Sequence, residues 1–387
     1  MRILIAHDSL DTDGGVETYL VAVIRELRRR GHAVALLHDA ASRGERPLAR
    51  SVEDRISVAE AGLERAAARV DAWRPDVCFS HNIGPLAIDR ALTSRWPVVK
   101  MLHGFFGTCV SGLKMHALPA PVACARRCGP ACLALYFPRR CGRVSLAAMW
   151  SGYEWAREQR QLFPRYRRTI VASAYMRNEV MRHGAERVDA VPLFSTLEPV
   201  AAAAAPEPDT VLFAGRMTTL KGGHVLIRAA ARASRKLDRR IRVLFAGDGP
   251  QKTEWHRLAR SLDVEAEFSG WIDQTARAAV FGRASIVAVP SLWPEPFGLA
   301  GLDAAALGRP AVAFDVGGIS EWLTDGGNGR LVPPGDGERG FAAALVQVLD
   351  DPHGRARMAE ASLLVARRLT VAAHVDRLEP LLRDSAA

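Results

Sequence analysis

The sequence predicts two α/β domains, each a parallel sheet wound on both faces by helices. Three observations carry this. Short apolar runs of strand length alternate with segments of helical spacing. The alternation restarts beyond an alanine- and proline-rich stretch near residue 200. The chain has 387 residues, which suits two domains of under about 200 residues each better than one.

The elements follow in order. Arg2 to Ala6 is a short apolar run that leads into polar residues and Gly14-Gly15. Val16, Leu20, Val23, Ile24 and Leu27 then recur at helical spacing up to Gly31, and Ala33 to Leu37 is the next buried strand. Strand, glycine loop, helix and strand make a βαβ unit. Further strands read at 77–79, 98–102 and 169–172. Residues 200–209, with five consecutive alanines before Pro206-Glu207-Pro208, read as a linker. Beyond it strands read at 211–214, 243–246, 286–289 and 311–314, with helical segments between them. The expected organisation is a first domain over 1–199, the linker, and a second domain over 210–387 whose last helix packs back on the first. In doubly wound sheets ligands bind beyond the carboxyl ends of the strands, and two such domains face each other across a cleft.

Composition excludes several classes. Apolar residues make up 49% and charged residues 24%, the ordinary globular mix, so the chain is neither disordered nor a small disulfide scaffold. No apolar run reaches the roughly 18–20 residues that span a bilayer. The first strand meets His7-Asp8 too early to be a signal segment, so the expected location is cytoplasmic. The net charge of +10 is concentrated. Residues 101–190 carry 14 basic and 5 acidic side chains, net +9; the flanking regions carry +1 and 0. Such a stretch suits an anionic partner, whether nucleic acid, acidic lipid headgroups or a phosphorylated substrate. It is also what a solvated arginine-rich face looks like.

The candidate chemistry lies after the strands of the second domain. Strand 211–214 runs into Gly215-Arg216-Met217-Thr218-Thr219-Leu220-Lys221-Gly222-Gly223. Gly215 admits close backbone approach, and Arg216 and Lys221 add two cations just before a helix. That combination binds a diphosphate without a metal. Strand 286–289 leads through Pro290-Ser291-Leu292-Trp293-Pro294-Glu295 to Pro296-Phe297-Gly298-Leu299, where another helix opens. The first N–H groups of that helix, at Phe297, Gly298 and Leu299, can hold an anion. Glu295 beside an anion site is repulsive unless it accepts hydroxyls, as from a sugar. Asp303, eight residues on, lies about a turn and a half into the helix, near the same end.

These strings resemble the donor-site signature of retaining glycosyltransferases of the GT-B fold, family four. The segment 289–298 carries it, with Gly215-Arg216 and Lys221-Gly222, Gly247-Asp248-Gly249-Pro250, and Gly317-Gly318 with Glu321. Gly14-Gly15-Val16-Glu17 and Arg30-Gly31-His32 resemble the family's N-terminal domain. The resemblance implies GT-B architecture, two Rossmann-like domains across a cleft, and a nucleotide-diphosphate sugar as donor substrate, with no cofactor. It implies that Arg216 and Lys221 hold the diphosphate, supported by the backbone of Phe297, Gly298 and Leu299. It further implies that Glu295 accepts donor-sugar hydroxyls, Asp303 binds the ribose diol, and Trp271-Ile272 lie near the base. In the first domain, Gly14 and Gly15 would let a loop approach the distal phosphate, and His103 would face the reacting centre. The family usually has Glu at the second acidic position, so Asp303 is a departure that shortens the reach by one methylene. Same-face attack by the acceptor hydroxyl, with the leaving phosphate taking its proton, is the implied mechanism. Asp11-Thr12-Asp13 has the spacing of a metal-binding pair, but it reads as loop chemistry, and no metal is expected to be required.

Five of the six cysteines, Cys109, Cys124, Cys128, Cys132 and Cys141, cluster within 33 residues. Gly129-Pro130 interrupts any continuous helix through them. Incidental thiols are the default reading; a structural zinc on Cys124, Cys128, Cys132 and Cys141 is the other, though the spacing lacks paired knuckles. The segment 105–165 reads as an elaboration of the acceptor-side domain. With a carbohydrate or lipid-linked acceptor, its arginines and aromatics suit peripheral contact with an anionic membrane in polysaccharide or glycolipid assembly. A sugar-nucleotide cleft gives nucleic acid no role. The competing readings are a nucleotide-sugar epimerase and a non-catalytic nucleotide-binding scaffold.

Overall fold

The computed structural model describes residues 1–8, 10, 14–39 and 47–386. These form two compact units. One comprises Met1–Ala120, Cys124–Thr196 and Val371–Ala387; the other comprises Pro121–Ala123 and Leu197–Thr370.

The first unit is built on a seven-stranded sheet. Its strands are β1 (Arg2–His7), β2 (Ala33–His38), β3 (Asp54–Ser57), β4 (Val77–Ser80), β5 (Val98–Leu102), β6 (Arg168–Val171) and β7 (Val188–Ala190). They pair in the order β3-β2-β1-β4-β5-β6-β7, and every pairing is parallel. Leu4 of β1 sits between Ala35 of β2 and Cys78 of β4, and all three are fully buried. A strand covered on both faces must be apolar throughout, which is why the central runs are continuous rather than alternating. The helix Gly15–Arg29 buries Leu20, Val23, Ile24 and Leu27 on the sheet, the stripe its spacing predicts.

The last helix, Val371–Ala386, also belongs to this unit and packs on Gly15–Arg29 and on β4 and β5. Its attachment is polar as well as apolar. Arg30 pairs with Asp376 at 2.8 Å and with Glu379 at 3.3 Å, and Tyr19 shares a 2.8 Å hydrogen bond with His374 Nε2.

The second unit holds a six-stranded sheet: β8 (Thr210–Ala214), β9 (Arg242–Ala246), β10 (Glu265–Gly270), β11 (Ile286–Val289), β12 (Ala311–Phe314) and β13 (Gly329–Val332). The order is β10-β9-β8-β11-β12-β13, again parallel at every pair. Leu212 lies between Leu244 and Val287 at its centre. On one face, fully buried Trp255 stands edge-on to Phe213 with ring centres 5.3 Å apart. Residues 200–209 are stitched to this unit: Val200 N–H donates to Ala306 C=O, and Glu207 N–H to Arg283 C=O.

In both sheets the chain reverses its winding direction beside the first strand. The reversal falls between β1 and β4 in the first unit and between β8 and β11 in the second. Loops leaving the carboxyl ends of such a strand pair diverge and leave a crevice. Among the described residues, no helix is long and apolar enough to cross a membrane.

Candidate functional site

The crevice between β8 and β11 gathers most of the residues the sequence singles out. The loop after β8 is zipped to the loop after β9: Gly215 N–H donates to Ala246 C=O, and Met217 N–H to Asp248 C=O at 2.7 Å. This fixes Gly215 and Met217 and leaves Arg216 exposed between them, with no carboxylate partner among the described residues. The chain then makes a short 3-10 turn, Thr219–Lys221, ended by Gly222 in the left-handed region at φ 71°. A β-carbon on Gly222 would collide with the carbonyl of Pro290, so only glycine lets the two loops touch.

Lys221 and Glu295 meet across this contact. Lys221 Nζ lies 2.6 Å from Glu295 Oε1 and 5.1 Å from the Trp293 ring centre. Glu295 is only 5% exposed, and Ser291 Oγ donates to the same carboxylate oxygen. Its backbone is held too: Gly318 N–H donates to Glu295 C=O at 2.8 Å. Gly317, at φ 64°, packs where a β-carbon would overlap that carbonyl. A buried carboxylate is tolerated because a cation and a hydroxyl satisfy it.

Phe297 is buried, and its carbonyl accepts from Trp322 Nε1 at 2.6 Å. Gly298 caps the helix Leu299–Ala306 without a side-chain hydrogen bond; Gly301 N–H donates to Gly298 C=O, and the N–H groups of Leu299 and Ala300 have no intrahelical acceptor. Arg216, Lys221 and this helix end thus concentrate positive potential at one crevice. Asp303 sits 2% exposed on the same helix, where its carboxylate is paired with Arg277 of the helix Gln274–Arg283. Trp271, after β10, is 62% exposed, and Ile272 packs against the core.

The remaining candidates lie on the first unit. Gly14 caps the helix Gly15–Arg29, and Glu17 in its first turn pairs with His7 at 3.0 Å. Burial is the largest single influence on the Glu17 carboxyl and raises its pKa, but the His7 hydrogen bond, a backbone hydrogen bond and the His7 charge together hold it below its usual range. His103 follows β5, and its Nε2 lies 2.9 Å from Nδ1 of fully buried His81. Burial first, then the nearby charges of His7, Lys100 and His374, lower the His103 pKa to about 3, so the ring is neutral at ordinary pH.

Asp11-Thr12-Asp13 lies outside the described residues. The five clustered cysteines are free thiols in intermediate surroundings. Among the described residues no group of three His, Cys, Asp or Glu side chains is gathered closely enough to hold a metal ion. A five-residue helix, Ala131–Leu135, begins after Pro130 and carries Cys132, whose thiol is hydrogen-bonded with that of Cys128. Sequence reasoning passed over Ser291, Arg277 and His81. A Ser four residues before Glu295, and a His directly after a buried strand, were the available signals; nothing near Asp303 in sequence points to Arg277.

Comparison with known proteins agrees with this layout. Residues 13–194 match the family model described as Glycosyltransferase Family 4, and residues 208–351 match that of Glycosyl transferases group 1. A D-inositol 3-phosphate glycosyltransferase of Corynebacterium aurimucosum is 38% identical over 182 residues, 45% of this chain and 43% of that protein. The alpha-D-kanosaminyltransferase of Streptomyces kanamyceticus is 33% identical over 177 residues, 45% of each chain. The matched part is therefore less than half the length of these relatives. Among solved structures, Anabaena HepE in complex with UDP-glucose superposes with a TM-score of 0.73 at 19% identity, covering 99% of this chain and 100% of that one. Sucrose-phosphate synthase from Thermosynechococcus elongatus gives 0.72 at 19%, covering 99% and 98%. The chain belongs to glycosyltransferase family four and has the GT-B fold.

Proposed function

We propose that the chain transfers a sugar from a nucleotide-diphosphate sugar to a hydroxyl acceptor with retention of configuration. The observation that carries this is the crevice between β8 and β11. Exposed Arg216, Lys221 and the opening of the helix Leu299–Ala306 converge there on a buried, pinned Glu295. That HepE is solved with UDP-glucose supports the same reading.

In this reading the bond between the anomeric carbon and the diphosphate breaks, and its electron pair goes to the leaving phosphate. Arg216, Lys221 and the helix N–H groups stabilise that growing negative charge. The acceptor oxygen bonds to the anomeric carbon on the same face, and its proton passes to the leaving phosphate. Glu295 accepts donor-sugar hydroxyls, with Ser291 and Lys221 fixing its orientation. Asp303 takes the ribose diol while Arg277 holds its second oxygen in place. Trp271 and Ile272 flank the base, and the first unit's Gly14, Gly15 and His103 keep the roles the resemblance implies.

The acceptor belongs to cell-surface polysaccharide or glycolipid assembly, and the protein works at the inner face of a membrane. The support is the +9 of residues 101–190 together with exposed Val144, Leu146 and Trp150 beside exposed Arg140 and Arg143. A thermal-shift screen of UDP-, GDP-, ADP- and dTDP-sugars, repeated on Arg216→Ala, tests the donor site. One base class should stabilise the wild type and fail on the variant; equal shifts in both proteins would contradict the site.

A further inference from the structure

The first unit has a crevice of its own, between β1 and β4, and the donor reading leaves it unused. A cavity of about 100 Å³ opens there, lined by Asp8, His81, Gly84, Lys100, Phe106 and Trp155, among others. They come from β5, from the loops that follow β1, β4 and β5, and from the helix Leu146–Leu162. At about 10–15 Å³ per water-sized group, the space holds roughly seven to ten such groups, the scale of one ring.

Its walls are fixed. Trp155 Nε1 donates to Gly84 C=O at 2.9 Å, and the Trp155 ring stands edge-on to Phe106 with centres 5.6 Å apart. Both oxygens of Asp8 accept from Gly84 N–H at 2.7 Å, and among the described residues no other hydrogen-bond donor reaches them, so their remaining lone pairs can take hydroxyl donors. An aromatic platform beside a carboxyl group suits the two sides of a saturated polyol ring: C–H faces stack, and hydroxyls are held at the edge.

The charges decide what kind of ring. Lys100 looks like an anion-binding cation, but its ammonium is spent. It donates to Ser80 Oγ at 3.1 Å, to His81 C=O at 2.5 Å and to Asp89 Oδ2 at 2.7 Å, which uses its three hydrogens. The imidazoles carry no charge to replace it: burial lowers His81 well below its ordinary range and His103 to about 3. With Asp8 on the wall and no available cation among the described residues that line the cavity, a phosphate here meets repulsion.

We infer that this cavity is a subsite for an uncharged sugar or cyclitol ring, with Trp155 as platform and Asp8 as hydroxyl acceptor, and that it excludes phosphorylated rings. On the transferase reading proposed above, the occupant is the acceptor's terminal ring. Any phosphate of that acceptor then lies outside, toward the arginine-bearing surface.

Saturation-transfer NMR on the full chain tests this with methyl α-D-glucopyranoside, methyl α-D-mannopyranoside, myo-inositol and myo-inositol 1-phosphate as probes. At least one neutral ring should bind, Trp155→Ala should weaken it about tenfold, and Trp155→Phe should retain most of it. Asp8→Asn should narrow the preference for neutral over phosphorylated inositol. Phe106→Ala, at a more exposed ring, repeats the platform test if Trp155→Ala fails to fold. Binding that ignores Trp155, tighter binding of the phosphorylated inositol, or no binding of any neutral ring overturns the inference. A UDP-induced thermal shift lost in Trp155→Ala also overturns it, since the cavity would then belong to the nucleotide. Absence of any nucleotide shift in the wild type defeats the transferase reading instead, and the ring arms still decide the cavity.

Discussion

At the scale of single residues, Arg216 and Lys221 are both cations of one crevice but differ in what else they do. Arg216 is exposed and holds no carboxylate among the described residues, so Arg216→Ala should leave thermal stability unchanged. At saturating donor it should lower turnover by roughly a hundredfold or more, the scale of a lost transition-state donor. Lys221 is also the counter-ion of buried Glu295. Lys221→Ala should therefore lose turnover and also roughly 2–3 kcal/mol of stability, less than for a fully buried pair because Lys221 is partly exposed. Urea unfolding beside steady-state rates separates the two effects; equal stability losses would mean the pair is not what holds Glu295. The positions of both cations were legible, because each follows a strand at a fixed step. The Asp303–Arg277 pair was not, because the two residues are 26 positions apart and a helix–helix contact brings them together.

At the scale of elements, the histidines packed in the first unit set a pH dependence. Burial lowers the pKa of His374 to about 4 and of His103 to about 3, and lowers His81 as well. An unfolded histidine titrates near 6.5. Below that value the unfolded chain binds protons the folded chain refuses, so stability is complete above about pH 6.5 and is lost as pH falls. Each such group contributes up to about 1.4 kcal/mol per pH unit in that window. The denaturation midpoint should fall steeply from pH 6.5 to 5, and His374→Gln should flatten the slope; a midpoint constant over that range would contradict the buried neutral rings.

The sheets show where sequence reading stops. All the strands legible as apolar runs lie in the interiors of the two sheets. Within these two sheets the four it passed over, β3, β7, β10 and β13, are the four edges. An edge strand is covered on fewer sides, so its sequence can alternate or carry charge, as Glu265, Glu267 and Asp189 do. Continuous apolarity marks central parallel strands only.

At the scale of the whole molecule, charge and exposed apolar surface coincide in the segment after β5. Leu146 and Trp150 are 71% and 56% exposed on the helix Leu146–Leu162, in the stretch that carries the net +9. Liposome sedimentation should show binding that rises with anionic lipid and weakens with salt, each basic residue near the surface contributing about 1 kcal/mol. Leu146→Glu with Trp150→Glu should reduce it and leave the nucleotide-induced thermal shift intact; binding indifferent to lipid charge and salt would leave the segment as a solvated face.

In the proposed reaction protein cations, not a metal, carry the leaving diphosphate of a nucleotide sugar. Release of nucleoside diphosphate from the best donor, followed with and without EDTA and matched to the anomeric configuration of the product by NMR, tests it most directly. The expected result is acceptor-dependent release that EDTA leaves unchanged, with one retained-configuration glycoside formed per diphosphate. Release that collapses in EDTA and returns with Mg²⁺ or Mn²⁺, or a product of inverted configuration, would contradict it.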